Sequence, residues 1–243
     1  MKLEYQINVN GFVERISVDK EDIDQVFLTI IKHLIELSMK KEGRFYCFFA
    51  ASAGGGKTTL SLLMKLLAKQ YFNYDLQVLG IDGFHYYNDY LNSHCDSNGT
   101  LLKDIKGNQI TFDVEKMYRT LNDSLTKDVY WPLYDRVIHD PIENAIKVDS
   151  KLIILEGNYL LLNDDNWQKL HKFCDYSIML DVDEKVLKER LIRRKQKGGL
   201  TLQESKKWYQ QVDKVNVETI KNNSIESDCL IRYDGNHYHL LKI

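Results

Sequence analysis

The stretch AASAGGGKTTL at residues 50–60 has the residue types that hold a phosphate group. Gly54, Gly55 and Gly56 let the main chain approach an anion closely, because no Cβ stands in the way, and Lys57, Thr58 and Thr59 follow in P-loop order. The pattern opens with a glycine, a place taken here by Ala51, which is tolerable if its φ is negative. Three further sets of charged residues lie downstream. Asp82, in LGIDGFHYYN, would sit at the carboxyl end of a strand, where it can receive a hydroxyl proton or help place a metal; an ordinary Asp-Gly turn is the alternative. Glu156, in IILEGNY, suits magnesium coordination opposite Thr58, or else a capping role. Arg190, Arg193 and Arg194 share one helix face and can neutralise charge on a moving phosphoryl group, or form a solvated basic surface.

Such chemistry requires a strand before the glycines and a helix after them. RFYCFFA supplies a buried strand over Phe45 to Ala50, and Thr58 to Gln70 supplies the helix, its free N-terminal amides aimed at the anion. Further strands are expected at Leu76 to Ile81, Leu152 to Leu155 and YSIMLDV, the last leading into EKVLKERLIRRKQKGG with a hinge at Gly198-Gly199. Residues 1–43 read as a hairpin turning at Asn10-Gly11, then a helix with Ile23, Val26, Phe27, Ile30, Ile31, Leu34 and Leu37 on one stripe. Asp19 or Asp22 would cap that helix and Gly43 would end it. The tail DCLIRYDGNHYHLLKI reads as a strand, a turn at Asp234-Gly235-Asn236 and a returning strand, with His237 and His239 at the surface.

A chain of 243 residues with two prolines and no evident linker is expected to form one domain. Its net charge of -2 gives no broad attraction to nucleic acid or anionic lipid. The four cysteines, Cys47, Cys95, Cys174 and Cys229, form no CxxC pair, which argues against zinc or a disulfide framework. No apolar signal core or membrane-length run is present, so a cytoplasmic protein is expected.

In order, AxxxxGKT, DGFHYxN, PLYDR, IILEGNY and DVDEKVLKERLIRR resemble the P-loop kinases of the uridine kinase, phosphoribulokinase and bacterial pantothenate kinase branch. The likeness runs from about Arg44 to the C-terminus and is nearest to bacterial nucleoside/nucleotide kinases of the fructose-transport-system kinase type. It implies an α/β fold, doubly wound around a five-stranded parallel sheet with the P-loop strand central, a helical lid over 185–200, and small N- and C-terminal hairpin additions. The resemblance also implies that Lys57 holds the β- and γ-phosphates of ATP and that Thr58 coordinates Mg2+, with Glu156 as the second acidic position near the metal. Asp82 matches the general base, and Arg190, Arg193 and Arg194 match the lid arginines.

WPLYDRVIHDPI resembles the segment that lines the acceptor pocket in relatives, making Tyr134, Asp135, Arg136 and His139 candidates beside His85, Tyr86, Asn158 and Tyr159. Each could equally serve the scaffold, as could Thr111-Phe112-Asp113, Trp208 and Asn216. QITFDVEKM lacks the fuller Asp-His-Pro run of uridine kinases, which weakens a pyrimidine nucleoside as acceptor. Arg136 would suit an anionic acceptor, unless it pairs with Asp135 or Asp140. The expected activity is ATP-dependent phosphorylation of a hydroxyl on a sugar, nucleoside or pantothenate-like metabolite. An ATP-binding switch without transfer is the alternative. The expected partner is a small-molecule substrate, with room for a homodimer and none for nucleic acid or membrane.

Overall fold

The computed structural model describes residues 1–9 and 12–243, so the expected Asn10-Gly11 turn lies outside the described residues. β3 (Phe45–Ala51) is buried along its whole length. Phe45, Cys47, Phe49 and Ala51 belong to one apolar cluster, while Tyr46, Phe48 and Ala50 belong to another. The two-residue period of a strand sends alternate side chains to opposite faces, and both faces here are covered. On one face lie the N-terminal helix over 20–40 and the helix Lys57–Phe72; on the other lie Val114–Ser124, Trp131 and Trp167.

β4 (Gln77–Gly80), β7 (Leu152–Gly157), β8 (Tyr176–Val182) and β9 (Cys229–Tyr233) run parallel with β3, and β10 (Tyr238–Lys242) runs antiparallel beside β9. The strand order is β10-β9-β8-β3-β7-β4, which makes β3 the third of five parallel strands. The C-terminal hairpin is thus an extension of the main sheet. β1 (Lys2–Val9) and β2 (Phe12–Asp19) form a separate two-stranded sheet.

The helix that follows buries the expected stripe, with Ile23, Val26, Phe27, Ile30, Ile31 and Leu34 all shielded. Neither expected cap operates. Asp19 stands at the helix start without a capping bond, and Asp22 lies inside the helix, buried. Asp22 instead accepts from the Tyr238 amide at 3.2 Å and faces His237 Nδ1 at 3.1 Å, tying the helix to β10. His237 and His239 are half exposed, as expected of surface residues.

Two local features depart from expectation around the site. The second strand stops at Gly80, and Ile81–Phe84 forms a tight helical turn. The Trp131 indole, donating to the Gly80 carbonyl at 2.8 Å, holds that strand end. YWPLYD is itself a strand: β5 (Tyr130–Asp135) pairs antiparallel with β6 (Asp140–Lys147) as a separate hairpin, with Arg136 just past its end. Pro132 and Pro141 hide it from a pattern search, because proline is tolerated only where a ladder bond is dispensable, as in a two-stranded edge.

This hairpin lies hard against the Asp82 turn. A Cβ added to Gly83 would come within 2.3 Å of the Pro132 carbonyl oxygen. Gly83→Ala is therefore expected to cost about 1–3 kcal/mol through displacement of the hairpin. Urea unfolding would read this as a lower midpoint; an unchanged midpoint would mean that the hairpin moves aside freely.

Candidate active site

The question raised by Ala51 is answered by the backbone. Ala51 ends β3 in extended conformation and is absent from the residues with positive φ. The left-handed turn falls at Gly56, with φ 94°, immediately before the helix Lys57–Phe72. An L side chain would be strained there, so glycine is needed where the chain swings into the helix. The amides of Lys57, Thr58 and Thr59 open that helix, where no intrahelical acceptor exists for them and where the dipole favours an anion.

Strand register sets the first carboxylate beside this loop. Glu156 is opposite Phe49 of β3 on one side and Gly80 of β4 on the other. Its Oε1 accepts from the Thr58 hydroxyl at 2.8 Å, and its Oε2 lies 3.7 Å from Lys57 Nζ. Burial pushes the Glu156 carboxyl up, against the pull of Lys57 and the Thr58 hydroxyl. A hydroxyl and a carboxylate side by side are hard oxygen donors of the kind Mg2+ takes.

A cavity of about 700 Å³ runs from the loop to the β5–β6 hairpin. Gly54, Gly56, Lys57, Thr58, Thr59 and Arg194 line it at the loop end, and Asp82, His85, Tyr134, Arg136 and Asn158 line it further on. Burial pushes the Asp82 carboxyl up, but Lys57, His85, Arg136 and Arg194 together outweigh burial and hold it below the usual range. It is deep in the cleft yet wetted by it, with 42% of the side chain exposed. Arg136 Nη2 donates to Asp82 Oδ2 at 3.1 Å.

His85 has a defined tautomer. Its Nδ1 faces the Thr111 carbonyl at 3.1 Å, and a carbonyl only accepts, so Nδ1 carries the hydrogen and Nε2 is left as an acceptor. The ring stacks on Phe112 at 3.8 Å, and burial lowers its pKa against the opposing pull of Asp82. Asn158 Oδ1 is buried and has no hydrogen-bond partner among the described residues. Asn158 also lines the cavity, and an unpaired acceptor at a cavity wall is suited to a ligand's donor once the side chain turns toward it.

Several expected residues are elsewhere. Tyr86 stacks on Tyr90 at 4.4 Å and does not line the cavity. Asp135 spends its Oδ1 on the amides of Val137 and Ile138, closing the hairpin turn. Tyr159 is fully buried and donates to the Gly107 carbonyl at 2.7 Å. The three arginines also part company. Arg190 donates to the Gly54 and Gly55 carbonyls at 3.3 and 3.1 Å, bracing the loop from behind. Arg194 enters the cavity, 3.9 Å from Asp213, while Arg193 is exposed and does not line it.

Lys106 and Asp213 line the same cavity and were not singled out in the sequence. Lys106 lies in a loop with no periodic pattern to mark it. Asp213 did leave a signal: with Asn216 it falls on the stripe of Tyr209, Val217 and Ile220 that the last helix buries. Polar residues on a buried stripe point to a lined cavity. Asn216 accepts from Asn108 Nδ2 at 3.0 Å, linking that helix to the Lys106 loop.

No family model matches the chain. It is 37% identical over 242 residues to the uncharacterized protein YggC of Escherichia coli (strain K12), covering 98% of this chain and 99% of that protein. It is 28% identical over 225 residues to C227.14 of Schizosaccharomyces pombe, a provisionally named uridine kinase, covering 89% and 94% of the two chains. Among solved structures, the provisionally named fructose transport system kinase of Silicibacter sp. TM1040 matches with a TM-score of 0.76 at 28% identity, over 86% of this chain and 98% of that one. Sequence and fold agree over nearly the whole chain, which therefore belongs to the P-loop kinases of the uridine kinase and pantothenate kinase type.

Proposed function

We propose that this protein transfers the γ-phosphoryl group of ATP to a hydroxyl of a small metabolite, and that it works in the cytoplasm as a single P-loop kinase domain. The observation that carries the reading is an ionised carboxylate, Asp82, in one cavity with Lys57, Thr58 and Arg194. Phosphoryl transfer needs alignment and charge neutralisation more than covalent chemistry, and these residues supply both.

Thr58 and Glu156 would hold Mg2+, which when bound supplies positive charge to the phosphate oxygens. Lys57 meets the phosphates from the loop and Arg194 from the lid helix Glu184–Lys197. Asp82 takes the acceptor's hydroxyl proton, with His85 and Asn158 offering acceptors that orient the rest of the molecule. Arg190 braces the loop, and Arg193, outside the cavity, meets neither reactant.

The test is ADP release from ATP and magnesium against a panel of sugars, sugar phosphates, nucleosides and pantothenate. Stimulation by one compound class is expected. Tight ATP binding with no stimulation would favour a nucleotide-dependent switch.

A further inference from the structure

Building on the phosphoryl-transfer reading, we propose that the acceptor is a hydroxylated anion, bearing a carboxylate or phosphate as well as the reacting hydroxyl. Its anionic group takes Arg136 from Asp82 and so releases the base for proton transfer.

Arg136 has few carboxylates to pair with. The two nearest carboxylates in sequence are occupied: Asp135 accepts the amides of Val137 and Ile138, and Asp140 accepts the Asn88 amide at 2.9 Å. Among the described residues, the one carboxylate that pairs with Arg136 is Asp82. A base whose oxygen is held by a guanidinium is poorly placed to accept a proton, and the nearby charge also weakens its basicity. The pair must open for the reaction to proceed.

Lys106 adds a second cation at the same end of the cavity. Its ammonium donates to Asn88 Oδ1 at 2.7 Å and to the His139 carbonyl at 3.0 Å, and it lies 5.1 Å from the centre of the Tyr134 ring. Among the described residues no carboxylate lies within ion-pair distance of it. Two other acidic residues line this cavity. Asp213 faces Arg194, and Glu14 is an exposed hairpin residue. Once a hydroxyl occupies Asp82, Arg136 loses its ion-pair partner, and Lys106 keeps only the charge of Asp140, which lies beyond ion-pair distance. A neutral acceptor leaves them so, whereas an anionic one supplies the missing charge, bidentate on the guanidinium.

Space for the exchange exists on both sides of the pair. A second cavity of about 260 Å³ lies behind it and shares Thr58, Asp82, Tyr134 and Arg136 with the main one. The Arg136–Asp82 pair therefore stands in the wall between two open volumes, and its side chains can part without displacing the core. In the step that follows, the acceptor oxygen attacks the γ-phosphorus as its proton passes to Asp82. A new P–O bond forms, the bond from the γ-phosphorus to the bridging oxygen breaks, and ADP leaves with that electron pair.

The test compares matched pairs of acceptors by ADP release: glycerate with glycerol, pantothenate with pantothenol, and fructose 1-phosphate with fructose. Wild type, Arg136→Gln and Arg136→Lys would be assayed together. The expected result is that the anionic member of at least one pair outperforms its neutral partner by about 10- to 100-fold in kcat/KM. Which pair responds separates a carboxylate from a phosphate. Arg136→Gln should erase the preference chiefly through a higher KM for the anion, with a smaller change for the neutral partner, for which Asp82 is freed, and Arg136→Lys should restore part of the preference. Neutral members doing as well as anionic ones would overturn the inference and leave the kinase reading standing. So would equal loss for both members in Arg136→Gln. Bound MgATP without ADP release for any compound would remove the transfer reading, and this inference with it.

Discussion

Asp82→Asn is expected to lower phosphoryl transfer by about 10²- to 10⁴-fold while leaving MgATP affinity nearly unchanged. Asparagine keeps the shape and one acceptor oxygen but cannot take the hydroxyl proton at neutral pH. Asp82 is outside the P-loop, in the helical turn that follows a separate strand, so the loop and its helix keep their geometry. The substitution also removes the partner of Arg136, an exposed cation that water can solvate. Calorimetry for ATP and single-turnover transfer for the chemical step would separate the two effects. Near-normal turnover would take the base role away from Asp82 and direct attention to His85 Nε2.

Lys57→Met is expected to weaken ATP binding and also to lower transfer at saturating ATP by about 10²- to 10³-fold. Lys57 is a mostly buried cation beside Glu156, with 13% of its side chain exposed. Its loss removes positive charge from the phosphate site and leaves Glu156 with the Thr58 hydroxyl alone. A pH effect follows from the same charge. Burial raises the Asp82 pKa, and Lys57 is the leading cation that brings it down. Without Lys57 the carboxyl protonates at a higher pH, so the acid limb of kcat/KM should move upward. An acid limb that stays in place would mean that Lys57 and Asp82 do not interact across the cavity.

The sequence determined the order of the parts. An apolar run such as FYCFFAA can be buried only where a sheet is covered on both faces, and Gly-Gly-Gly-Lys-Thr can follow it only as a loop entering a helix. Those are local constraints of steric freedom and solvation, and residues a few positions apart impose them. The pairing of Glu156 with Thr58 was legible in part, because parallel strands ending in functional groups deliver them to one edge.

What only the tertiary structure decided were contacts between segments far apart in the chain. Arg136 meets Asp82 across 54 positions, because a hairpin that proline had hidden packs onto Gly83. The shared helix face of Arg190, Arg193 and Arg194 could not say which faces the loop's back, which faces water and which faces the cavity. A helix's periodicity defines its stripes, but only its neighbours select among them. Lys106 and Asp213 reached the site by the same route, through loop closure and helix packing. These depend on the summed burial of many side chains, a quantity that no short window of sequence contains.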